Sequence, residues 1–147
     1  MAATMKGWTR EALEAKGVKV HEQGVRVIAK PVDVVTLSLP LPPSVNNMFV
    51  TVPKKGRVRS QDYCRWHKTA FDEMCRQHPG KIDGAFAIVI RAGRIRRRSD
   101  IDNRIKGILD LINGVVTADD SNCESVAARW ADDVPAERVV VEVRRAA

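Results

Sequence analysis

Two amphipathic helix patterns, separated by a strand-like apolar run, constrain the fold of this 147-residue chain more than any other feature. The first follows Ser60, a residue type suited to capping a helix, and Pro79-Gly80 ends it. Its apolar face consists of Tyr63, Trp66, His67, Ala70, Phe71 and Met74. The second runs from about Asp100 to Asn113, with an apolar face of Ile101, Ile105, Ile108, Leu109 and Ile112. The patterns predict two helices, each packed by one face.

Apolar and β-branched runs between and around these helices predict the strands. They cover residues 32–39, 85–93, about 124–131 and 138–144. The proline-rich sequence PLPPSVNN follows the first run, and a basic loop or hairpin continues through Arg59. The resulting order, β, α, β, α, β, β, predicts a compact α/β (α+β) domain in which two main helices pack on a mixed sheet.

Composition divides the chain into a short appendage and one domain. Residues 1–30 form the appendage, with one predicted helix between Thr9 and Gly17, and residues 31–147 form the domain. Hydrophobic residues make up 44% of the chain, enough for a core, which excludes general disorder. The three cysteines are too few for a disulfide framework, and no apolar leader or membrane span is visible. We therefore expect a cytoplasmic protein that does not bind membranes.

The positive charge of the chain favours a polyanionic partner. Lys and Arg number 25 against 18 Asp and Glu, a formal net charge of +7. Two clusters concentrate this charge, and we predict that both contact DNA phosphates without reading sequence. Their members are Lys54, Lys55, Arg57 and Arg59 in the first cluster, and Arg96, Arg97 and Arg98 in the second.

Carboxylates are dense between residues 99 and 121. Asp102 and Lys106 lie one helical turn apart on the flank that also carries Asn103 and Asp110, away from the isoleucine face. Mg²⁺ prefers such oxygen ligands, and the later Asp119-Asp120 pair could complete a site begun by Asp100 and Asp102. Taken singly, Asp100 could be only a helix cap, Asp102 and Lys106 only an ion pair, and Asp119-Asp120 only a turn. Spacing alone does not establish that these side chains converge.

A doubled C-x-x-H sequence, which begins at Cys64 and again at Cys75, superficially suggests a zinc site. On one helix these two cysteines would lie about 16 Å apart at 1.5 Å per residue, too far to share an ion. We therefore expect Cys64, Cys75 and His67 to serve the core. The sequence also has no Ser-His-Asp set and no glycine-rich phosphate loop.

The acidic segment resembles the signature of the RusA family of Holliday junction resolvases. That pattern runs D-x-D-N-x-x-K, then an apolar helix with a later Asp, then a D-D pair. The matching residues are Asp100, Asp102, Asn103, Lys106, Asp110, Asp119 and Asp120. PLPPSVNN similarly resembles the family's P-x-P-P-S-x-N segment through Pro40, Pro42, Pro43, Ser44 and Asn46. Together the likeness covers roughly residues 33–145.

The resemblance implies a RusA-like homodimer that uses Mg²⁺, with Mn²⁺ as a substitute, to make paired symmetric nicks in four-way junction DNA. Such an enzyme would act in DNA recombination and repair, in a phage or prophage setting. The resemblance assigns the metal to Asp100, Asp102 and Asp120 and a catalytic role to Lys106. Asn103 and Asp119 become supporting residues. Gly107 departs from good helix formers, which predicts a close approach of backbone or DNA there.

Two other functions remain open at the level of the sequence. The chain could be a basic DNA-binding or replication-accessory protein, in which the acidic cluster is only structural. It could also be a nuclease of the same chemistry that cuts other branched nucleic acids, such as flaps, forks or RNA.

Overall fold

A computed structural model describes residues 20–21, 24–25, 31–95 and 99–146. Its strands are β1 (Val20–His21), β2 (Gly24–Val25), β3 (Val34–Pro40), β4 (Phe49–Val52), β5 (Gly56–Arg59), β6 (Phe86–Ala92), β7 (Cys123–Trp130) and β8 (Arg138–Arg145). Its α-helices are α1 (Gln61–Arg76) and α2 (Ile105–Ile112). The predicted order of the main strands and helices is confirmed, and the basic segment before α1 forms the β4–β5 hairpin.

The main sheet is mixed, as predicted, with strand order β3–β8–β6–β7. Strand β8 is antiparallel to both β3 and β6, whereas β6 and β7 are parallel. Alternate residues of β3, β8 and β6 point into the core, and the register partners Leu37, Val141 and Ile90 are almost fully buried. This alternation is the period-2 pattern from which the strands were predicted.

Helix α1 begins where the sequence predicted and covers the sheet with one face. The Ser60 hydroxyl oxygen accepts a hydrogen bond from the Tyr63 backbone N–H over 3.1 Å, which caps the helix. Tyr63, Trp66, Ala70 and Met74 are buried along it. The Trp66 indole N–H donates to the Pro40 carbonyl over 2.9 Å, so α1 also holds the start of the proline-rich loop.

Helix α2 is the crossover between the parallel strands β6 and β7. Ile108, Leu111 and Ile112 bury its inner face, and Gly114, at φ +81°, lets the chain turn back after it. The helix is shorter than predicted, because a 3₁₀ turn (Asp102–Arg104) precedes it. Neither the turn nor the helix begins with a side-chain cap, which explains the irregular start.

Several predictions fall outside the described residues. They are the appendage helix between Thr9 and Gly17 and the arginines Arg96, Arg97 and Arg98. The described part of the appendage pairs β1 with β2 in antiparallel fashion. All three cysteines are free, as their low number predicted. No helix within the described ranges has the length and apolar character needed to cross a membrane.

Candidate active site

A short turn between β6 and α2 carries Asp100 and Asp102 at the end of the sheet where β6 and β7 finish. Trp130, the last residue of β7, donates its indole N–H to the Ser99 carbonyl over 3.2 Å and fixes the turn there. Both aspartates are exposed, and neither makes a hydrogen bond or ion pair to the described residues. The alternative that Asp100 is only a helix cap is wrong, since Ile101 and Arg104 occupy the N-cap positions.

Arg104 ties this turn to the proline-rich loop. Its Nη1 donates to the Pro42 carbonyl over 2.6 Å, a short hydrogen bond from a charged donor. Its Nε is buried and has no hydrogen-bond partner among the described residues, and burial lowers the pKa of its guanidinium. A buried polar group without a partner lowers the stability of the fold. The Arg104 side chain therefore fixes the position of the turn at some cost in stability.

Gly107 allows the same loop to approach α2 closely. A Cβ on Gly107 would lie 2.9 Å from Pro42 Cβ and 3.6 Å from the Trp66 ring. Ordinary contacts between carbon atoms are about 3.5–4.0 Å, so a side chain here would displace the loop. A close approach at Gly107 is therefore present, but the atoms nearest to it belong to the Pro42 and Trp66 side chains and not, as had been predicted, to backbone.

Lys106 pairs with Asp110 across one turn of α2. Its Nζ lies 3.4 Å from the Asp110 carboxylate, and about half of the lysine side chain is exposed. The Asp110 charge also reaches α1. Burial first, and this carboxylate next, raise the pKa of Tyr63, whose hydroxyl is buried without a partner in the described structure. The alternative in which Asp102 and Lys106 form only an ion pair with each other is wrong, because Lys106 pairs with Asp110.

Asp119 and Asp120 lie on the turn that leads into β7. The Asp119 carboxylate accepts a hydrogen bond from the Ser121 backbone N–H over 3.0 Å. This hydrogen bond, followed by one with the Asp120 side chain, lowers the pKa of Asp119. Asp119 thus shapes the turn, as one alternative proposed, and Asp120 is exposed beside it.

The two acidic pairs lie at opposite ends of β7. Asp120 comes three residues before Cys123, the first residue of the strand, whereas Ser99 contacts Trp130, the last. Seven rises of about 3.3 Å along a strand make this separation about 23 Å. Accordingly, no three His, Cys, Asp or Glu side chains in the described ranges are grouped to hold one metal ion. The convergence assumed for Asp100, Asp102 and Asp120 is therefore absent within one chain.

The β4–β5 hairpin presents the first basic cluster. The Arg57 guanidinium lies 4.8 Å from the centre of the Phe49 ring, and that of Arg59 lies 5.4 Å from the centre of the Tyr63 ring. Such cation–π contacts hold the two arginines in place while leaving them exposed. Lys54 and Lys55 occupy the exposed turn.

The zinc alternative receives no support from α1. His67 is half-buried and stacks on Phe71 at 6.2 Å, with Tyr63 and Trp66 also within ring contact. Burial first, and Arg59 next, lower the pKa of His67. The predicted packing role of His67 is confirmed, although Cys64 is exposed and therefore is not a core residue.

The sequence analysis did not identify two residues that position the turn. Arg104 lies within the acidic segment and was given no role, and Trp130 was treated only as part of a strand. Trp130 also lies under the Arg94 guanidinium at 5.4 Å. A signal for Trp130 was available. It is an aromatic residue at the end of β7, and β7 is parallel to β6, the strand that precedes the acidic turn. Because parallel strands finish at the same edge of a sheet, Trp130 could be expected beside that turn.

Comparison with known proteins places most of the chain in one family. The family profile described as "Endodeoxyribonuclease RusA" matches residues 40–144, from the start of the proline-rich loop almost to the end of β8. No curated protein matches the chain. The match spans most of the chain and includes every described element from the loop to the last strand, together with both acidic pairs. The chain therefore belongs to the RusA endodeoxyribonuclease family.

Proposed function

We propose that this protein is a Mg²⁺-dependent nuclease that resolves four-way DNA junctions as a homodimer, with one nick in each of two symmetric strands. The observation that carries the proposal is the exposed turn with Asp100 and Asp102, which Trp130 and Arg104 fix beside Lys106. The family match supports DNA cleavage by this domain. With three free cysteines and a DNA substrate, we place the protein in the cytoplasm.

The type of ligand atom that the turn offers, carboxylate oxygen, suits Mg²⁺. Asp100 and Asp102 offer exposed carboxylate oxygens, which this ion prefers, and these two residues would hold it. Bound Mg²⁺ would supply charge neutralisation at the phosphate and a more acidic water. The set is incomplete in one chain, since Asp120 lies at the other end of β7.

Lys106 would stabilise negative charge that develops on the scissile phosphate. About half of its side chain is exposed, and Asp110 holds its ammonium group through the 3.4 Å ion pair. A lysine acts at such a position as a compact point charge with movable donors. Asn103 would support the Asp100–Asp102 turn, and Asp119 would shape the turn that carries Asp120.

The hairpin would bind the arms of the junction through phosphates. Arg57 and Arg59 are ordered by their aromatic neighbours, whereas Lys54 and Lys55 add charge at the tip. Contacts of this kind give affinity that falls steeply with salt and carries little sequence information. We assign the same role to Arg96, Arg97 and Arg98.

The experiment compares cleavage of a four-way junction with cleavage of linear duplex, flap, fork and RNA substrates, with and without Mg²⁺. We expect paired nicks in the junction only with the ion. Asp102→Asn should reduce the rate at least a thousandfold while junction binding persists. Asp72→Asn, which changes an exposed carboxylate on α1, is the matched control and should cut normally.

Other outcomes identify the alternative functions. Junction binding without cleavage in any divalent ion would indicate the basic binding or accessory protein. Faster cleavage of flaps, forks or RNA than of the junction would indicate a nuclease with a different substrate. Native cleavage by Asp102→Asn would refute the assignment of the turn.

A further inference from the structure

The hydroxyl of Tyr63 is a buried hydrogen-bond donor that the free protein does not use. Tyr63 is 1% exposed, and its hydroxyl has no hydrogen-bond partner among the described residues. A buried hydroxyl without a partner lowers stability, whereas a phenylalanine would fill nearly the same space without that cost. The hydroxyl therefore calls for an acceptor that reaches it in another state of the protein.

Neighbouring rings hold the Tyr63 side chain in place. Its ring centre lies 5.9 Å from that of Trp66 and 6.3 Å from that of Phe49, and both rings stack on it. The Arg59 guanidinium lies 5.4 Å from the same ring centre. A ring packed among such neighbours keeps its orientation. An acceptor therefore has to move to the hydroxyl, since the hydroxyl does not move to the acceptor.

The Asp110 carboxylate is an acceptor on the helix that faces Tyr63. Helices α1 and α2 approach each other where a Cβ on Gly107 would lie 3.6 Å from the Trp66 ring. Tyr63 lies one turn before Trp66 on α1, and Asp110 lies one turn after Gly107 on α2. Burial and, next, the charge of Asp110 raise the pKa of Tyr63, so the carboxylate lies within electrostatic reach of the phenol.

The partner that Asp110 has in the free protein, Lys106, is held loosely. The Lys106 Nζ lies 3.4 Å from each of the two carboxylate oxygens of Asp110. Hydrogen bonds between an ammonium group and a carboxylate are usually about 2.7–2.9 Å long. The side chain of Lys106 is 53% exposed, whereas that of Asp110 is only 25% exposed. A phosphate can therefore draw the ammonium group away, and the carboxylate that stays behind then lacks a cation.

We propose that Asp110 and Tyr63 are positioning residues for Lys106, and that Asp110 exchanges one for the other when DNA binds. The inference rests on the proposed function, because Lys106 is assigned there to the scissile phosphate. In the free protein, Asp110 holds Lys106. When the ammonium group turns to the phosphate, the Asp110 carboxylate accepts a hydrogen bond from the Tyr63 hydroxyl, and the proton stays on the phenol. The hydroxyl thus stabilises only the state in which Lys106 contacts DNA.

The first test follows Tyr63 by nuclear magnetic resonance in the absence of DNA. Tyr63 is the only tyrosine of the chain, so isotopic labelling of tyrosine Cζ gives one resonance, which responds to hydrogen bonding of the hydroxyl. Lys106→Met frees Asp110 and should move this resonance, whereas Lys106→Met combined with Asp110→Ala should leave it at the native position. An unmoved resonance in Lys106→Met, or the same movement in the double variant, would overturn the proposal.

The second test measures single-turnover cleavage of a four-way junction. Tyr63→Phe should slow cleavage about tenfold, while junction affinity and stability in urea stay at the native level or above. The matched control, Thr117→Val, removes another buried hydroxyl that lacks a partner in the described structure, and it should cut at the native rate. Native cleavage by Tyr63→Phe, or a loss of its stability, would overturn the proposal. If the native protein cuts no junction, the proposed function is wrong, and the Tyr63 resonance in Lys106→Met still decides whether the hydroxyl reaches Asp110.

Discussion

Replacement of Arg104 by methionine separates the position of the catalytic turn from the stability of the fold. The substitution removes the 2.6 Å hydrogen bond to the Pro42 carbonyl but keeps an unbranched apolar stem of similar reach. It also removes the buried Nε that lacks a partner. The change therefore deletes one favourable and one unfavourable interaction at the same site.

The two contributions have opposite signs and partly cancel in the free energy of unfolding. A hydrogen bond from a charged donor contributes about 1.5–3 kcal/mol, and an unpaired buried polar group costs about 1–3 kcal/mol. These ranges differ by at most about 2 kcal/mol, so we expect Arg104→Met to change the free energy of unfolding by no more than about 2 kcal/mol. Cleavage should respond more strongly, because a displacement of about 1 Å at a reacting group can cost about a hundredfold in rate.

Urea unfolding and single-turnover junction cleavage measure these two quantities. Arg65→Met, which removes an exposed charge from α1, controls for the lost positive charge. We expect similar junction affinity for both variants and cleavage slowed about 10- to 100-fold only for Arg104→Met. Native cleavage, or a loss of stability above about 3 kcal/mol, would refute a positioning role.

Three further predictions concern packing and titration. Gly107→Ala should destabilise the protein by about 1 kcal/mol in urea unfolding, because its Cβ would lie 2.9 Å from Pro42 Cβ. Burial lowers the pKa of His67, so the unfolded chain binds more protons as the pH falls below about 6.5. Stability should therefore decline from pH 7 to pH 5, and His67→Phe should reduce that decline. Burial raises the pKa of Cys75 to about 11, so iodoacetamide at pH 8 should modify Cys75 at least tenfold more slowly than the exposed Cys64, as mass spectrometry of peptides would show.

Each of these predictions has a contrary result. Thr69→Ala on the exposed side of α1 is the control for Gly107→Ala. If both substitutions stabilised the protein equally, the proline-rich loop would have to move away from a Cβ at position 107 at no cost in stability. An unchanged pH dependence in His67→Phe would assign the decline to other groups. Equal modification rates at Cys64 and Cys75 would show that the half-buried Cys75 thiol reaches solvent readily.

The sequence predicted the architecture well because its signals are local. The Ser60 cap and the apolar face after it identified α1, and β-branched runs identified the strands of the sheet. Helix α2 began later than predicted, since its apolar face starts at Ile101 while the backbone through Arg104 forms a 3₁₀ turn. Periodicity reports which face is apolar, but caps and hydrogen bonds determine where a helix begins.

The candidate site was predictable in residue type but not in arrangement. Carboxylates near Lys106 indicated metal chemistry, and the proximity of Asp119-Asp120 along the chain suggested convergence with them. The parallel crossover instead carries that pair to the opposite end of β7. Arg104 and Trp130 act through contacts with Pro42 and Ser99, which lie far from them in the chain and leave no spacing pattern.

Titration of the protein with Mn²⁺, followed by calorimetry, tests most directly whether the turn between β6 and α2 binds the catalytic metal. The native protein should bind the ion, whereas Asp102→Asn should bind it at least tenfold more weakly and Asp72→Asn should bind it as the native protein does. Equal Mn²⁺ affinity in the native protein and in Asp102→Asn would contradict the account.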